Sequence, residues 1–259
     1  MVRKTAKKYT AVPPAASATK RKAATKPVIV ETPVEQPHAA SVVAAPVSEI
    51  APIAETATVS ETAPVAALPD IEPLVLDLQS PIALVRGDAA IKLGESGNPE
   101  AAPALIDALF DSDADVAREA AAALGVLRQS SAVEPLIRVL SNREGYFHGV
   151  VRAAAASSLA RLGDSRAVEP LLAAIHDPMA EASAEAVRAL ADLADPRAVQ
   201  AIIDVVRNDD GFFLSIVRRA AVLALAKFGG EPGRNELRAV AADDYEDSVI
   251  REDARQALQ

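Results

Sequence analysis

The sequence predicts an all-α protein, in which a solenoid of stacked helical hairpins follows a disordered N-terminal segment. Half of the 259 residues are apolar but only 3% are aromatic, which favours closely packed helices over a thick aromatic core. Prolines recur every few residues up to residue 69, and an apolar pattern with helical spacing repeats six times after residue 70. The ordered part is therefore expected at 70–259.

Residues 1–26 form the basic end of the chain. Residues 1–30 carry eight Lys/Arg and no acid, and such a block attracts nucleic acid, an anionic membrane surface or an acidic protein. A disordered leader that only improves solubility is the plainer interpretation. A transit peptide is a third, although lysine outnumbers arginine and serine is scarce. We interpret 1–26 as a disordered basic tail.

Residues 27–69 are rich in proline, alanine, valine and glutamate. No apolar period of 3.6 residues persists there for two turns. Proline favours extended polyproline-like backbone and removes backbone donors. This segment is therefore predicted to be a semi-stiff linker.

The six repeats after residue 70 share three apolar positions on one helical face. Leucine marks the last position in every repeat, at Leu93, Leu124, Leu159, Leu190, Leu225 and Leu258. Alanine precedes it by four residues, at Ala89, Ala120, Ala155, Ala186, Ala221 and Ala254. A small or branched apolar residue stands four residues earlier again. Alanine at the middle position lets neighbouring helix axes approach closely.

A second apolar run accompanies most of these helices, as in AVEPLIRVL at 132–140 and AVEPLLAAI at 167–175. Each run is predicted to be a short helix. Gly97, Gly163 and Gly229 stand where a helix must stop, and Asp164 and Asp195 are placed to cap the helix that follows. Two helices in each unit, stacked in series, make an α-solenoid.

VRAAAASSLARLGDSRAVEPLLAAIHDP at 151–178 and ALADLADPRAVQAII at 189–203 carry a family resemblance. They resemble the HEAT-like repeats of phycobilisome lyase subunits and of many bacterial scaffold proteins. The resemblance covers residues 71–259 and is specific for the fold but weak for function. The last unit, GGEPGRNELRAVAADD, departs from the pattern because it lacks the RAVEPL text.

Two octets, EGYFHGVV at 144–151 and DGFFLSIV at 210–217, hold four of the eight aromatic residues. They fill the longer joints between repeats. Phe147 and Phe213 are expected one helical turn before the following helix row, where they extend it. Tyr146 and Phe212 point elsewhere, so they either wedge the joint or give a partner two aromatic anchors.

An arginine follows the first apolar position in four repeats, at Arg86, Arg152, Arg218 and Arg251, and Arg219 lies beside Arg218. The row either pairs with acids of the neighbouring helix or forms an anion-binding strip. The candidate partner-binding residues are therefore Tyr146, Phe212, Arg152, Arg218 and Arg219.

No catalytic or cofactor motif emerges. The chain lacks cysteine, and His38, His148 and His176 are too scattered for a metal cluster or a catalytic triad. No phosphate-binding glycine loop follows a strand. We therefore expect no catalytic residues, no metal and no cofactor. No apolar stretch of 18 residues and no secretory signal is present, which favours the cytoplasm.

The leading functional expectation is a non-enzymatic scaffold or adaptor that binds a protein partner through the solenoid surface. The alternative comes from the resemblance alone, which implies a phycobilin lyase-type subunit that attaches a chromophore or acts as its chaperone. A third is tethering to nucleic acid or an anionic surface through residues 1–26.

Overall fold

The structure, a computed structural model, describes residues 68–259, and that part of the chain contains twelve α-helices and no strand. The predicted fold class is confirmed. The proposed tail, with His38, and all of the linker except residues 68 and 69 lie outside the described residues, so their boundaries stay predictions. In chain order the helices are α1 (Glu72–Asp77), α2 (Ala83–Glu95), α3 (Ala102–Ala108), α4 (Ala114–Leu127), α5 (Val133–Ser141), α6 (Gly149–Leu162), α7 (Val168–Ala174), α8 (Ala180–Leu193), α9 (Ala198–Arg207), α10 (Ser215–Phe228), α11 (Gly230–Ala242) and α12 (Ser248–Ala257).

The helices form six hairpins in two layers. Each odd-numbered helix packs against the even-numbered helix that follows it, from α1 with α2 to α11 with α12. The even-numbered helices also pack in series, α2 on α4, α4 on α6 and so on to α12. A second layer is formed by α5, α7, α9 and α11. This is the stacking of an α-solenoid.

The alanine row lies at the contacts between successive even-numbered helices. All six of its alanines are buried, with Ala89 2% exposed and the other five fully covered. The helices approach closely beside this row. A Cβ on Gly94 would lie 2.7 Å from Cβ of Ala123, and one on Gly125 would lie 2.6 Å from Oγ of Ser158. The small residues are therefore required by the spacing of the layer.

The short turns between hairpins use the predicted caps. The carboxylate of Asp164 accepts a hydrogen bond from the backbone N–H of Arg166 at 2.9 Å, and Asp195 accepts one from Arg197 at the same distance. Gly163 ends α6 with a φ of 70°, a left-handed conformation that favours glycine. The other two predicted stop glycines, Gly97 and Gly229, also have positive φ.

The last hairpin keeps the fold although its sequence departs from the repeat pattern. Asp247 caps α12 by accepting hydrogen bonds from the N–H groups of Val249 and Ile250. Ile250 and Ala254 are buried, whereas Leu258 at the open end of the stack is half-buried. Of the helices described in 68–259, none is both long enough and apolar enough to cross a membrane.

Candidate functional site

The loops within the six hairpins lie side by side, and we call them, with the first turns of the helices that follow, the loop edge. The loops span residues 78–82, 109–113, 142–148, 175–179, 208–214 and 243–247. Contacts join them in order. Arg86, at the start of α2, binds Asp111 of the second loop, and the Tyr146 ring reaches the same loop at Phe110. His176 of the fourth loop contacts Phe212 of the fifth.

The two octets lie mainly in loops, which corrects one expectation. Because α6 begins at Gly149, Phe147 stands before the helix and does not add a turn to it. The loop is closed by Asn142, whose Oδ1 accepts the Phe147 N–H at 2.8 Å and whose Nδ2 donates to the Phe147 carbonyl at 3.3 Å. Asn208 binds Phe213 in the same way. The asparagine side chain therefore makes hydrogen bonds to the loop backbone in place of those that a further helical turn would make.

The inner ring of each octet packs against the core. Phe147 is 5% exposed and lies 5.6 Å from the Phe110 ring, centroid to centroid. Phe213 is half-buried against the core and lies 5.4 Å from the His176 ring. Both residues thus pack as expected, but they do so from the loop.

The outer ring of each octet faces solvent. Tyr146 and Phe212 are each 53% exposed. Each stands edge-on to its inner neighbour, Tyr146 with Phe147 at 5.2 Å and Phe212 with Phe213 at 5.0 Å. The inner ring therefore holds the outer ring in place at the surface. Their role as partner anchors stays a prediction.

Three arginines of the row, Arg86, Arg152 and Arg218, bind acids of the next hairpin, at every second joint, whereas Arg251 pairs with Asp244 of its own hairpin. Arg152 donates two hydrogen bonds to Asp177, both at 2.6 Å, and a third to the Phe147 carbonyl. Arg86 binds Asp111 in the same bidentate way, and its guanidinium holds the pKa of that carboxyl below its usual value. These pairs fasten the first hairpin to the second and the third to the fourth.

The arginines proposed for partner binding are engaged within the chain. Arg218 donates to Glu246 at 2.8 Å and to the Val206 carbonyl. The side chains of Arg152 and Arg218 are only 9% and 14% exposed. Arg219 remains half-exposed while it binds Asp253 at 2.6 Å. Of these three arginines, Arg219 is the most accessible.

A groove of about 580 Å³ runs between α5 and α7 at the loop edge. Its lining includes the apolar side chains of Ile137, Leu140 and Ala173 and the polar side chains of Arg143, Glu169 and His176. Arg143 is exposed and makes no salt bridge within the described residues. The sequence analysis missed Arg143, because its position at a groove follows only from the packing of two short helices.

A second groove, of about 650 Å³, lies beside the second octet. Its lining includes the rings of His176 and Phe212. Asp204, Asp209 and Asp210 also line it, so this groove is acidic.

The two histidines of the described residues lie in separate loops. His148 lies in the third loop and His176 in the fourth. In residues 68–259, no three or more histidine and acidic side chains are grouped so that they can hold a metal ion.

Comparison with known proteins identifies several similarities. The HEAT-repeat family matches residues 71–148, 145–214 and 184–259. An uncharacterised phycocyanin operon protein Z from Pseudanabaena tenuis is 27% identical over 196 residues, 73% of this chain and 93% of the relative. A chain from the complex of CpcE and CpcF of phycocyanin lyase from Nostoc sp. PCC7120 matches with a TM-score of 0.53 and 27% identity. That match covers 77% of this chain and 80% of the other.

These similarities correct the expectation that the chain is not an enzyme. The solved chain that it resembles over most of its length comes from a lyase complex. They also support the lyase-type alternative better than the general scaffold.

Proposed function

This chain belongs to the HEAT-repeat family, and on that basis we propose that it is a lyase-type subunit that handles a phycobilin chromophore for phycocyanin. HEAT repeats alone host many tasks, so the fold does not carry the proposal. The carrying observation is the match to the phycocyanin lyase chain at 27% identity over 80% of that chain. The phycocyanin operon protein supports the same context.

The groove between α5 and α7 is the place we propose for the chromophore. Its volume of about 580 Å³ lies in the range of small-molecule sites, roughly 300–1,000 Å³. Ile137, Leu140 and Ala173 offer apolar surface to the pyrrole rings. The exposed Arg143 in the lining presents a guanidinium, which binds carboxylates in a bidentate manner and suits the propionate groups of a bilin.

We further propose that the chain acts together with a second protein. The solved relative was determined as a complex of two different chains. Repeat solenoids bind partners through extended surfaces. Tyr146, Phe212 and the half-exposed Arg219 are our candidates for contact with a partner. Arg152 and Arg218 are proposed to support those contacts from within the joints, since Arg152 binds the Phe147 carbonyl in the first octet and Arg218 binds the Val206 carbonyl near the end of α9, shortly before the second octet.

Titration of the purified full chain with phycocyanobilin tests this function. We expect a saturable change in the absorption spectrum at one bilin per chain. Arg143→Glu replaces the proposed carboxylate-binding group by a like charge, and we expect it to weaken binding at least tenfold. The control is Arg188→Glu, a charge reversal of an exposed arginine on α8 that does not line the groove. The absence of saturable binding, or equal weakening by both variants, would contradict the proposal.

A further inference from the structure

The loop edge concentrates the exposed apolar side chains of the described chain. Of the sixteen large apolar residues that are exposed in 68–259, eleven lie there. They are Ile82, Leu84, Phe110, Tyr146, Val150, Met179, Phe212, Leu214, Ile216, Tyr245 and Val249. Scattered single residues of this kind are normal on a protein surface, but a concentration along one edge is typical of an interaction site.

The apolar residues recur with a period of 66 residues, which equals two hairpins. Leu84, Val150 and Ile216 occupy the same position in the first turns of α2, α6 and α10. Tyr146 and Phe212 follow the same spacing and have equal exposure. The loop edge therefore presents equivalent groups of apolar residues, which we call stations. Each station lies two even-numbered helices from the next.

The area of exposed apolar surface on the loop edge matches that of a protein interface. An aromatic side chain carries about 150–250 Å² of surface, so Tyr146 and Phe212, each 53% exposed, offer on the order of 100 Å² each. The eleven side chains together offer on the order of 800 Å², about the area that one protein contributes to a standard interface. A small ligand would cover one of the rings at most, whereas a helix of about twenty residues, roughly 30 Å long, spans both Tyr146 and Phe212.

The C-terminal half of the loop edge carries acidic side chains beside its apolar residues. Asp209 and Asp210 adjoin the Phe212 station and line the groove there. Neither makes a salt bridge within residues 68–259. Asp244, in the next loop, has a side chain that is 94% exposed. A partner with lysine or arginine at this end complements the edge.

We propose that the loop edge binds an amphipathic α-helix of a protein partner, with apolar residues on Tyr146 and Phe212 and a basic end over Asp209 and Asp210. The described residues contain no strand, so no sheet edge is offered there to an extended peptide. A helix lying across the loops needs only side-chain contacts, as in helix-in-groove recognition. A second copy of this chain is disfavoured because it brings the same acidic rim.

The distance between two stations determines how far apart the two apolar contacts of the partner helix must lie. Packed helix axes are about 8–10 Å apart, so two stations separated by two helices are roughly 16–20 Å apart. A helix rises about 1.5 Å per residue. The two apolar contacts of the partner are thus expected about 11–13 residues apart.

The test uses the full chain and three fluorescent twenty-residue helical peptides. The first has apolar residues at two sites eleven residues apart and lysines at one end. The second carries glutamates in place of the lysines, and the third has the first composition in scrambled order. Fluorescence anisotropy measures binding, and light scattering after gel filtration measures the mass of the chain alone. This inference rests on the partner contact proposed above at Tyr146 and Phe212 and does not need the bilin, so its failure is distinguishable from a failure of bilin binding.

Two sets of variants locate the binding. Tyr146→Ser/Phe212→Ser removes both outer rings, and Asp209→Asn/Asp210→Asn removes the acidic charge. Leu223→Ser is the control, since Leu223 is exposed on α10 but lies outside the loop edge. Circular dichroism checks that each variant is folded. Because Asp209 and Asp210 are exposed loop residues, the charge variant remains informative if the serine variant fails to fold.

We expect the lysine peptide alone to bind, the serine variant to weaken it at least tenfold, and the asparagine variant to weaken it and reduce its salt dependence. Leu223→Ser should bind as the wild type does. The inference is overturned if the lysine peptide does not bind, if the glutamate or scrambled peptide binds equally, or if the folded edge variants leave its affinity unchanged. It is also overturned if the chain alone forms a dimer that Tyr146→Ser/Phe212→Ser dissociates, because a second copy then occupies the edge.

Discussion

Arg152 and Asp177 form a buried bidentate ion pair that fastens the third hairpin to the fourth. Their side chains are 9% and 6% exposed, and Arg152 also holds the Phe147 carbonyl of the first octet at 2.6 Å. One guanidinium thus connects two consecutive loops of the edge.

The first prediction concerns this pair. Asp177→Ala leaves the Arg152 guanidinium buried without its carboxylate, so we expect the free energy of unfolding to fall by about 3–5 kcal/mol. Urea denaturation followed by circular dichroism measures the loss. Glu181→Ala is the control, because Glu181 is exposed and makes no salt bridge within the described residues. A similar small loss in both variants would show that the pair does not stabilise the joint.

The second prediction concerns the spacing of the helix layer. Ala155 is fully buried in α6, so Ala155→Leu overpacks the layer and should lower the free energy of unfolding by roughly 1–3 kcal/mol. Ala239→Leu is the matched control, because Ala239 is exposed on α11. Thermal unfolding compares the two. An Ala155→Leu protein as stable as its control would mean that the layer tolerates a wider spacing.

The third prediction separates the two rings of the first octet. Phe147 is 5% exposed, so Phe147→Ala should lower the free energy of unfolding by about 3–5 kcal/mol. Tyr146→Ala removes a ring that is half-exposed, so it should lower the free energy of unfolding clearly less than Phe147→Ala does. Chemical denaturation of both variants gives the comparison. If Tyr146→Ala is the more damaging change, the outer ring belongs to the joint and not to the surface.

The fourth prediction concerns acid. Arg166 donates to Asp164 through its side chain and backbone, which lowers the pKa of Asp164 to about 2. A lowered folded-state pKa stabilises the fold above the unfolded pKa near 3.8, and this stabilisation is lost as the pH falls toward 2. When the pH is lowered from 5 to 2, the urea concentration at the unfolding midpoint should therefore decrease less in Asp164→Asn than in the wild type.

Asp107→Asn serves as the control for the acid prediction. Asp107 is exposed on α3 and makes no side-chain hydrogen bond within the described residues. The urea midpoint of the Asp107→Asn variant should change with pH as that of the wild type does. Identical profiles for Asp164→Asn and the wild type would show that the Arg166 contact does not bias folding.

The sequence predicted the helical stack well because its physical causes are periodic. Ala155 and Leu159 are buried since residues four apart share one face of a helix. The octets were predicted less well. Their length was consistent with one more helical turn, but the side chain of Asn142 closes a loop instead. Such a closure depends on one side-chain geometry, which no periodic pattern encodes.

The candidate site was only partly predictable for a related reason. Tyr146 and Phe212 stood out by their repetition, and the structure leaves both half-exposed. Arg143 did not stand out, because the groove at which it lies is formed by α5 and α7 from different hairpins. The comparisons favour the lyase-type alternative over the general scaffold, because the likeness to a chain of a lyase complex covers 77% of this chain and does not depend on a short catalytic motif.

The most direct measurement of the lyase-type function is chromophore attachment to phycocyanin. Phycocyanobilin and apo-phycocyanin are incubated with CpcE and, in a separate series, with CpcF as the second subunit, each with and without the full chain. Covalent bilin is measured on the denatured protein by mass spectrometry. We predict that the chain raises the initial rate of correct attachment at least tenfold, and that Arg143→Glu removes most of this increase. Equal rates with and without the chain would contradict the account.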